Sequence, residues 1–213
     1  DDTNQAFAIL DALIETDWKP DTKTLVKHIL QWADAAGAWT NNVLGPSSKA
    51  ALKLVKEGKD PSEVTKSALT NGCGMRIAPI GTLYEPKDFD KLIEMVYEVT
   101  RITHSSDVAI SGAAMIAGAV TAAVADYDWN NIIEYANEAN DAGFKLGTPT
   151  WAAHNKKRLE IGIDLAHRYR GNDKAFSQAI YNTLGTGTAI SESIPAAVAI
   201  AYYAKDVKKS AFI

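Results

Sequence analysis

A chain of 213 residues, 46% hydrophobic and 23% charged, has the composition of a globular protein of one domain, two at most, which excludes the disordered and low-complexity classes. Its net charge of −4, with no Lys/Arg cluster to offset it, argues against a nucleic-acid surface. The single cysteine, Cys73, excludes an internal disulfide framework and fits a reducing, cytoplasmic setting.

The chain opens on Asp1 and Asp2, directly before a helical pattern in which Phe7, Leu10, Leu13 and Ile14 recur at three-to-four spacing. Two readings of the acidic pair fit. Carboxylates at a helix start accept orphan N–H groups and oppose the positive dipole end; the same position also presents two oxygen ligands to a cation. Leu25, Ile29 and Trp32 continue the helical spacing. In "GPSSKAALKLVKEGKDPSEV" (45–64), Pro46 sits where a first-turn proline is tolerated and Gly58 stops the helix. Asp60 caps a second helix ahead of Pro61 and Glu63.

"LTNGCGMRIAPIG" (69–81) follows, a glycine-rich stretch in which Asn71, Gly72 and Gly74 permit a tight turn and leave N–H groups free to cradle a phosphate. The structural alternative is a turn with Met75 and Ile77 in the core and Arg76 paired with a carboxylate. Cys73 has no identifiable base beside it and reads as a small loop residue. In "THSSD" (103–107), His104 is either a hydrogen-bond partner or general acid at a site, or the neighbour of a Ser105 or Ser106 cap. Helical patterns run over 87–101, 107–125, 129–142, 151–169, 173–184 and 191–204. "AISGAAMIAGAVTAAVA" and "IPAAVAIAYYA" are short of a bilayer span and rich in small residues, as closely packed core helices are. "NKKRLE" (155–160) reads as a solvated face.

His28, His154 and His167 lie on helical patterns without zinc spacing. "LGTGT" carries Gly185 and Gly187 but follows no strand, so a dinucleotide fold does not follow from it. There is no phosphate-loop motif and no nucleophile elbow. No alternating β-branched run is visible and no secretory signal is seen, so residues 1–213 are expected to form one all-α domain with no membrane segment.

Five stretches, taken in order, resemble the ADP-ribosylglycohydrolase family, the all-helical hydrolases that include ADP-ribosylarginine hydrolase and the dinitrogenase-reductase-activating glycohydrolase. "DDT" (1–3) is similar to its Thr-Asp-Asp-Thr metal motif. "LGPSSKAALKLVKEGKDP" (44–61) is similar to its Gly-Pro-[Ser/Thr]-[Ser/Thr] helix. "NGCGMRIAPIG" (71–81) resembles its Asn-Gly-x-x-Met-Arg-x-x-Pro-x-Gly segment. "TH" (103–104) precedes a small-residue helix, and "LGTGTAISESIPAAV" (184–198) resembles its Gly-x-Gly…Glu-[Ser/Ala]-[Ile/Val]-Pro-x-Ala segment. A Gly-rich opening helix with an acidic ligand and a closing Gly-Asp-x-Asp-Thr segment, both normal for the family, are not in this sequence. The chain is therefore expected to be the central portion of a longer protein.

The resemblance implies hydrolysis of the glycosidic bond of an ADP-ribosyl group, on a protein or a small ADP-ribose conjugate. It implies two Mg²⁺ ions held in part by Asp1 and Asp2, with Asp2 catalytic. Magnesium takes oxygen ligands in octahedral geometry, and paired ions position an attacking water. By the same resemblance backbone groups around Asn71, Gly72 and Cys73 hold the diphosphate, His104 faces the ribose, and the 185–188 loop, with Gly185 and Gly187, borders the adenosine. The alternatives are hydrolysis of a smaller nucleoside or ADP-ribose derivative, and a non-catalytic ligand-binding or structural relative resembling the family's crystallin-like members.

Overall fold

The computed structural model describes every residue except Asp1, Pro20 and Asn42. Helices α1 (Asp2–Glu15), α2 (Thr22–Ala35), α3 (Pro46–Lys56), α4 (Ser62–Thr65) and α5 (Ala78–Gly81) make up the first part of the chain. They are followed by α6 (Phe89–Thr100), α7 (Asp107–Val124), α8 (Trp129–Leu146), α9 (Asn155–Arg168), α10 (Asp173–Thr183), α11 (Ile190–Ala204) and α12 (Val207–Phe212). Among the described residues there is no strand, only two isolated β-bridges, so the all-α expectation holds.

α7 is the axis of the core. Its residues are Ala, Gly, Ser, Val, Ile and Met almost throughout, and it is long and apolar enough by composition to cross a membrane. That apolarity is spent inside the protein, where 72% of the helix is buried against its neighbours. α8 is its most extensive partner, followed by α6, α11 and α5. Close approach of α7 and α8 explains the small residues: a Cβ added at Gly118 would lie 2.7 Å from the Ala139 Cβ. Ser106 caps α7, its Oγ accepting from the Ala109 N–H at 3.3 Å, as one of the two sequence readings had it.

α9 and α11 form the second tightly packed pair. α11 contains Pro195, which has no N–H to offer the Ser191 carbonyl four residues back. Arg158 on α9 takes over, its Nη1 donating to Ser191 O at 3.3 Å and also to Leu184 O. "NKKRLE" is therefore not simply a solvated face: Asn155 is buried and Arg158 clamps the segment entering α11. A half-buried guanidinium is invisible to a reading that counts charges along a helix.

α1 forms where the periodicity pointed to a helix. Its buried stripe is Gln5, Ala8, Ile9, Ala12 and Leu13, while Phe7 and Ile14 stay 58% and 60% exposed. Both stripes satisfy helical spacing. The one turned inward carries Gln5, whose carbonyl oxygen receives a hydrogen bond from buried Arg76. Trp32 on α2 packs half-buried beside Leu25 and Ile29. Gly58, at φ +69°, ends α3 as expected. The helix expected after Asp60 is a single turn, with Asp60 accepting from Ser62 N at 2.9 Å.

The loops are laced together by bonds between segments distant in sequence. Asn71 N donates to Thr188 O at 2.9 Å and Ile190 N to Leu69 O at 2.8 Å. Residues 147–150 lie along the first turn of α7: Thr148 N donates to Ser105 O, and the Asp107 carboxylate accepts from Thr150 N and Thr150 Oγ1. This segment precedes α9, which begins at Asn155 and not at 151. A Cβ at Gly147 would fall 2.3 Å from Asp107 Cα and 2.5 Å from Asp107 N, backbone atoms that cannot yield. Gly147→Ala is expected to cost about 3 kcal/mol by overpacking, read as a lower denaturation midpoint with an unchanged slope. A loss under about 0.5 kcal/mol would show that the segment is free to shift away from α7.

Candidate active site

Four segments converge on one cleft of about 530 Å³. Asp2 comes from the first turn of α1, and Asn41, Lys49, Ser48 and their neighbours from the approach to α3 and its first turn. Thr70, Asn71, Gly72 and Met75 come from the glycine-rich turn, and Thr188 from the loop before α11. The volume is within the range of small-molecule sites.

Local chemistry builds the cleft walls. Pro46 is the first residue of α3 and its cap residue, Gly45, has no side chain, so the first intrahelical bond is Lys49 N to Gly45 O. The N–H groups of Ser47 and Ser48 are thus left without helical acceptors, which together with the helix dipole favours an anion there. Lys49 adds a positive charge to the same wall. Gly72 is needed for space: a Cβ would come within 3.1 Å of both His104 Cε1 and Ser48 Oγ. Asn71 is held through its N–H on Thr188 O, while its own carbonyl accepts from Met75 N at 3.0 Å.

Behind this wall lies a buried polar cluster. Arg76 is 1% exposed and donates to Gln5 Oε1 at 2.7 Å and Thr103 Oγ1 at 2.8 Å. The sequence reading gave it a carboxylate partner; among the described residues it has neutral oxygens instead, and burial lowers its pKa to about 10. His104 is fully buried between Thr103 Oγ1 (2.8 Å from Nδ1) and Thr70 Oγ1 (2.9 Å from Nε2). Burial first, and the Arg76 charge second, push its pKa down to about 3, so the ring is neutral at ordinary pH.

The sequence-derived site residues thus divide. Asp2, Asn71 and Gly72 meet on the cleft, and Asp1 lies outside the described residues. His104 stands one layer behind, against Gly72 and Thr70. The Cys73 side chain turns into the core, Sγ donating to Ala109 O at 3.6 Å, and burial pushes the thiol up to about 12, which rules out a thiolate nucleophile. Gly185 and Gly187 do not line the cleft. They wrap the Glu192 carboxylate: Gly187 N donates to Glu192 Oε2 at 3.0 Å, and a Cβ at Gly185, whose φ is +78°, would meet that oxygen at 2.6 Å. The neighbouring Thr188 reaches the cleft in their place.

Sequence reasoning did not single out Lys49, Ser48 or Thr70, and had Thr188 in view only as the end of the 185–188 loop. Ser48 and Lys49 were in view as the helix after Gly-Pro, where an uncapped glycine start was itself the signal of free N–H groups.

The donors on the cleft are hard oxygens and amides, with thiol and imidazole turned away, which fits a cation of the Mg²⁺ type and not a zinc site. Among the described residues no group of three or more His, Cys, Asp or Glu gathers to hold a metal, so Asp2 is the only carboxylate they bring to the cleft. One or two carboxylates with waters and substrate oxygens are the usual set for Mg²⁺.

A family model described as ADP-ribosylglycohydrolase matches residues 1–212. The chain is 35% identical over 200 residues to Uncharacterized protein YegU of Escherichia coli K12, an alignment covering 94% of this chain and 60% of that protein. It is 29% identical over 136 residues to an uncharacterized protein of Archaeoglobus fulgidus, covering 63% of this chain and 42% of that protein. The chain thus spans about 60% or less of the length of the curated relatives it matches.

Proposed function

The chain belongs to the ADP-ribosylglycohydrolase family, and on that premise we propose that it is the larger part of a Mg²⁺-dependent hydrolase cleaving the glycosidic bond of an ADP-ribosyl group, on a protein side chain or a small conjugate. The observation that carries the reading is the meeting of Asp2 with the distant pair Asn71 and Gly72 on one cleft beside the open N-terminus of α3.

Asp2, with Asp1, would hold the metal; magnesium, when bound, polarises hydroxyl groups and makes water a stronger nucleophile. The protein's own groups do the rest. The N–H groups of Ser47 and Ser48, with Lys49, offset the charge of a diphosphate, and Gly72 lets its backbone approach closely. An Asp2 carboxylate oxygen takes a proton from the attacking water as its oxygen bonds to the anomeric carbon. The bond to the leaving nitrogen or oxygen breaks, that atom takes a proton from solvent, and Asp2 returns the proton it accepted to solvent. The negative charge of Asp2 favours the oxocarbenium character that develops on the ribose.

The test uses the full-length protein with Mg²⁺ and ADP-ribosylated arginine, ADP-ribosylated serine and small ADP-ribose conjugates, monitoring free ADP-ribose. Release from at least one substrate, stopped by a chelator, is the expected result. Binding of ADP-ribose without release from any of them would replace the enzyme with a non-catalytic binding relative.

A further inference from the structure

The cleft wall is backed by an unbroken series of hydrogen bonds that the proposed reaction leaves without a task. It runs from Arg76 Nη2 to Thr103 Oγ1 (2.8 Å), from Thr103 Oγ1 to His104 Nδ1 (2.8 Å), from His104 Nε2 to Thr70 Oγ1 (2.9 Å), and from Thr70 Oγ1 to Ser47 Oγ (3.0 Å). The direction of each bond follows from counting protons. Thr70 has one hydroxyl proton and donates it to Ser47, so toward His104 it can only accept. Nε2 therefore carries the ring proton.

The ring is neutral, so Nδ1 is a bare lone pair and must accept, and the hydroxyl beside it is that of Thr103. Arg76 already donates into the Thr103 oxygen, which leaves the Thr103 proton free for the ring. Every proton in the series points from the buried guanidinium toward the cleft. Ser47 ends it, half-buried in the first turn of α3; it is not itself one of the residues lining the cleft, but adjoins three that are, its hydrogen-bond partner Thr70 and its neighbours Pro46 and Ser48. Its own proton has no acceptor among the described residues.

We infer that Arg76, Thr103 and His104 form a one-way hydrogen-bond relay that fixes His104 as the Nε2–H tautomer and, through Thr70, orients the Ser47 hydroxyl as a donor to a ligand oxygen in the cleft. Arg76, Thr103 and His104 are positioning residues, and Ser47 is the contact. Only the identity of the ligand, an oxygen of ADP-ribose, rests on the reading of the cleft given above; the order of protons does not. A cluster that merely tied the loops together would serve with either tautomer. A buried cation at one end selects one, because a guanidinium can donate and never accept.

The experiment is nitrogen NMR of histidine-labelled full-length protein, paired with calorimetric titration of ADP-ribose. Wild type is expected to show His104 with Nε2 protonated and Nδ1 bare. Thr103→Val should abolish that single tautomer and weaken ADP-ribose binding about tenfold, one good hydrogen bond's worth, and Thr103→Ser should restore both. Ser47→Ala, at a half-buried site that tolerates change, should weaken ADP-ribose to a similar extent with the tautomer intact. An Nδ1–H ring in the wild type overturns the relay. Unchanged affinity in Ser47→Ala overturns the ligand contact. Failure of the wild type to bind ADP-ribose overturns the ligand and the proposed function together, while the tautomer still decides the relay.

Discussion

Asp2→Asn in the full-length protein is expected to lower the rate of ADP-ribose release by roughly 10²–10⁴-fold, the range for losing a proton-transfer group, with KM changed far less. The substitution keeps shape and removes charge. Asp2 is exposed at the start of α1, so its folding contribution is limited to its interaction with the helix dipole, at most about 1 kcal/mol. Steady-state kinetics set against a thermal melt separate the two effects. A variant that keeps more than about a third of the wild-type rate would show that Asp2 is only a helix-terminal acid, the other reading of the opening residues.

The second large effect is acid destabilisation traced to one histidine. His104 titrates near 6.5 when unfolded and at about 3 in the folded protein. Between those values the unfolded chain binds a proton that the native state refuses, so stability rises with pH. The contribution is complete above pH 6.5 and is lost as pH falls toward 3, at up to about 1.4 kcal/mol per pH unit, or about 2 kcal/mol by pH 5. The cause is the site itself, full burial beside the Arg76 charge. Carboxylates elsewhere also weaken the fold in acid, so the comparison is with His104→Gln. Urea midpoints measured from pH 7 to pH 4 should fall more steeply in wild type than in the variant. Parallel slopes would mean that His104 takes up its proton in the folded state.

The helices were largely legible because their signals are local. Periodicity and caps placed α6, α7, α10 and α11 within about two residues of their observed ends, and Gly58 and Ser106 acted as read. What escaped was decided by contacts across the chain. Two stripes of α1 have equal claim to the core by spacing, and the presence of Arg76 behind Gln5 is not written in either. Among the described residues Arg76 meets Gln5 and Thr103, 71 and 27 residues away, where a carboxylate was expected.

The site was legible as a set of stretches and not as a geometry. Asn71 and Gly72 sit on the cleft, in the tight turn that their residue types pointed to. Gly185 and Gly187 looked alike in sequence, yet their backbone encloses Glu192, and only that carboxylate, seven and five positions downstream, could have hinted at it. His104 was expected to face the ribose, and the structure buries it. Its place one layer behind the wall depends on Gly72 lacking a Cβ, a relation between loops more than thirty residues apart.

The most direct measurement is a crystal structure of the full-length protein with ADP-ribose and Mg²⁺. The diphosphate is expected over Asn71, Gly72 and the first turn of α3, with the distal ribose toward Asp2. ADP-ribose seated away from these residues, for example among Arg170 after α9, Tyr202 near the end of α11 and Lys209 on α12, would contradict the account.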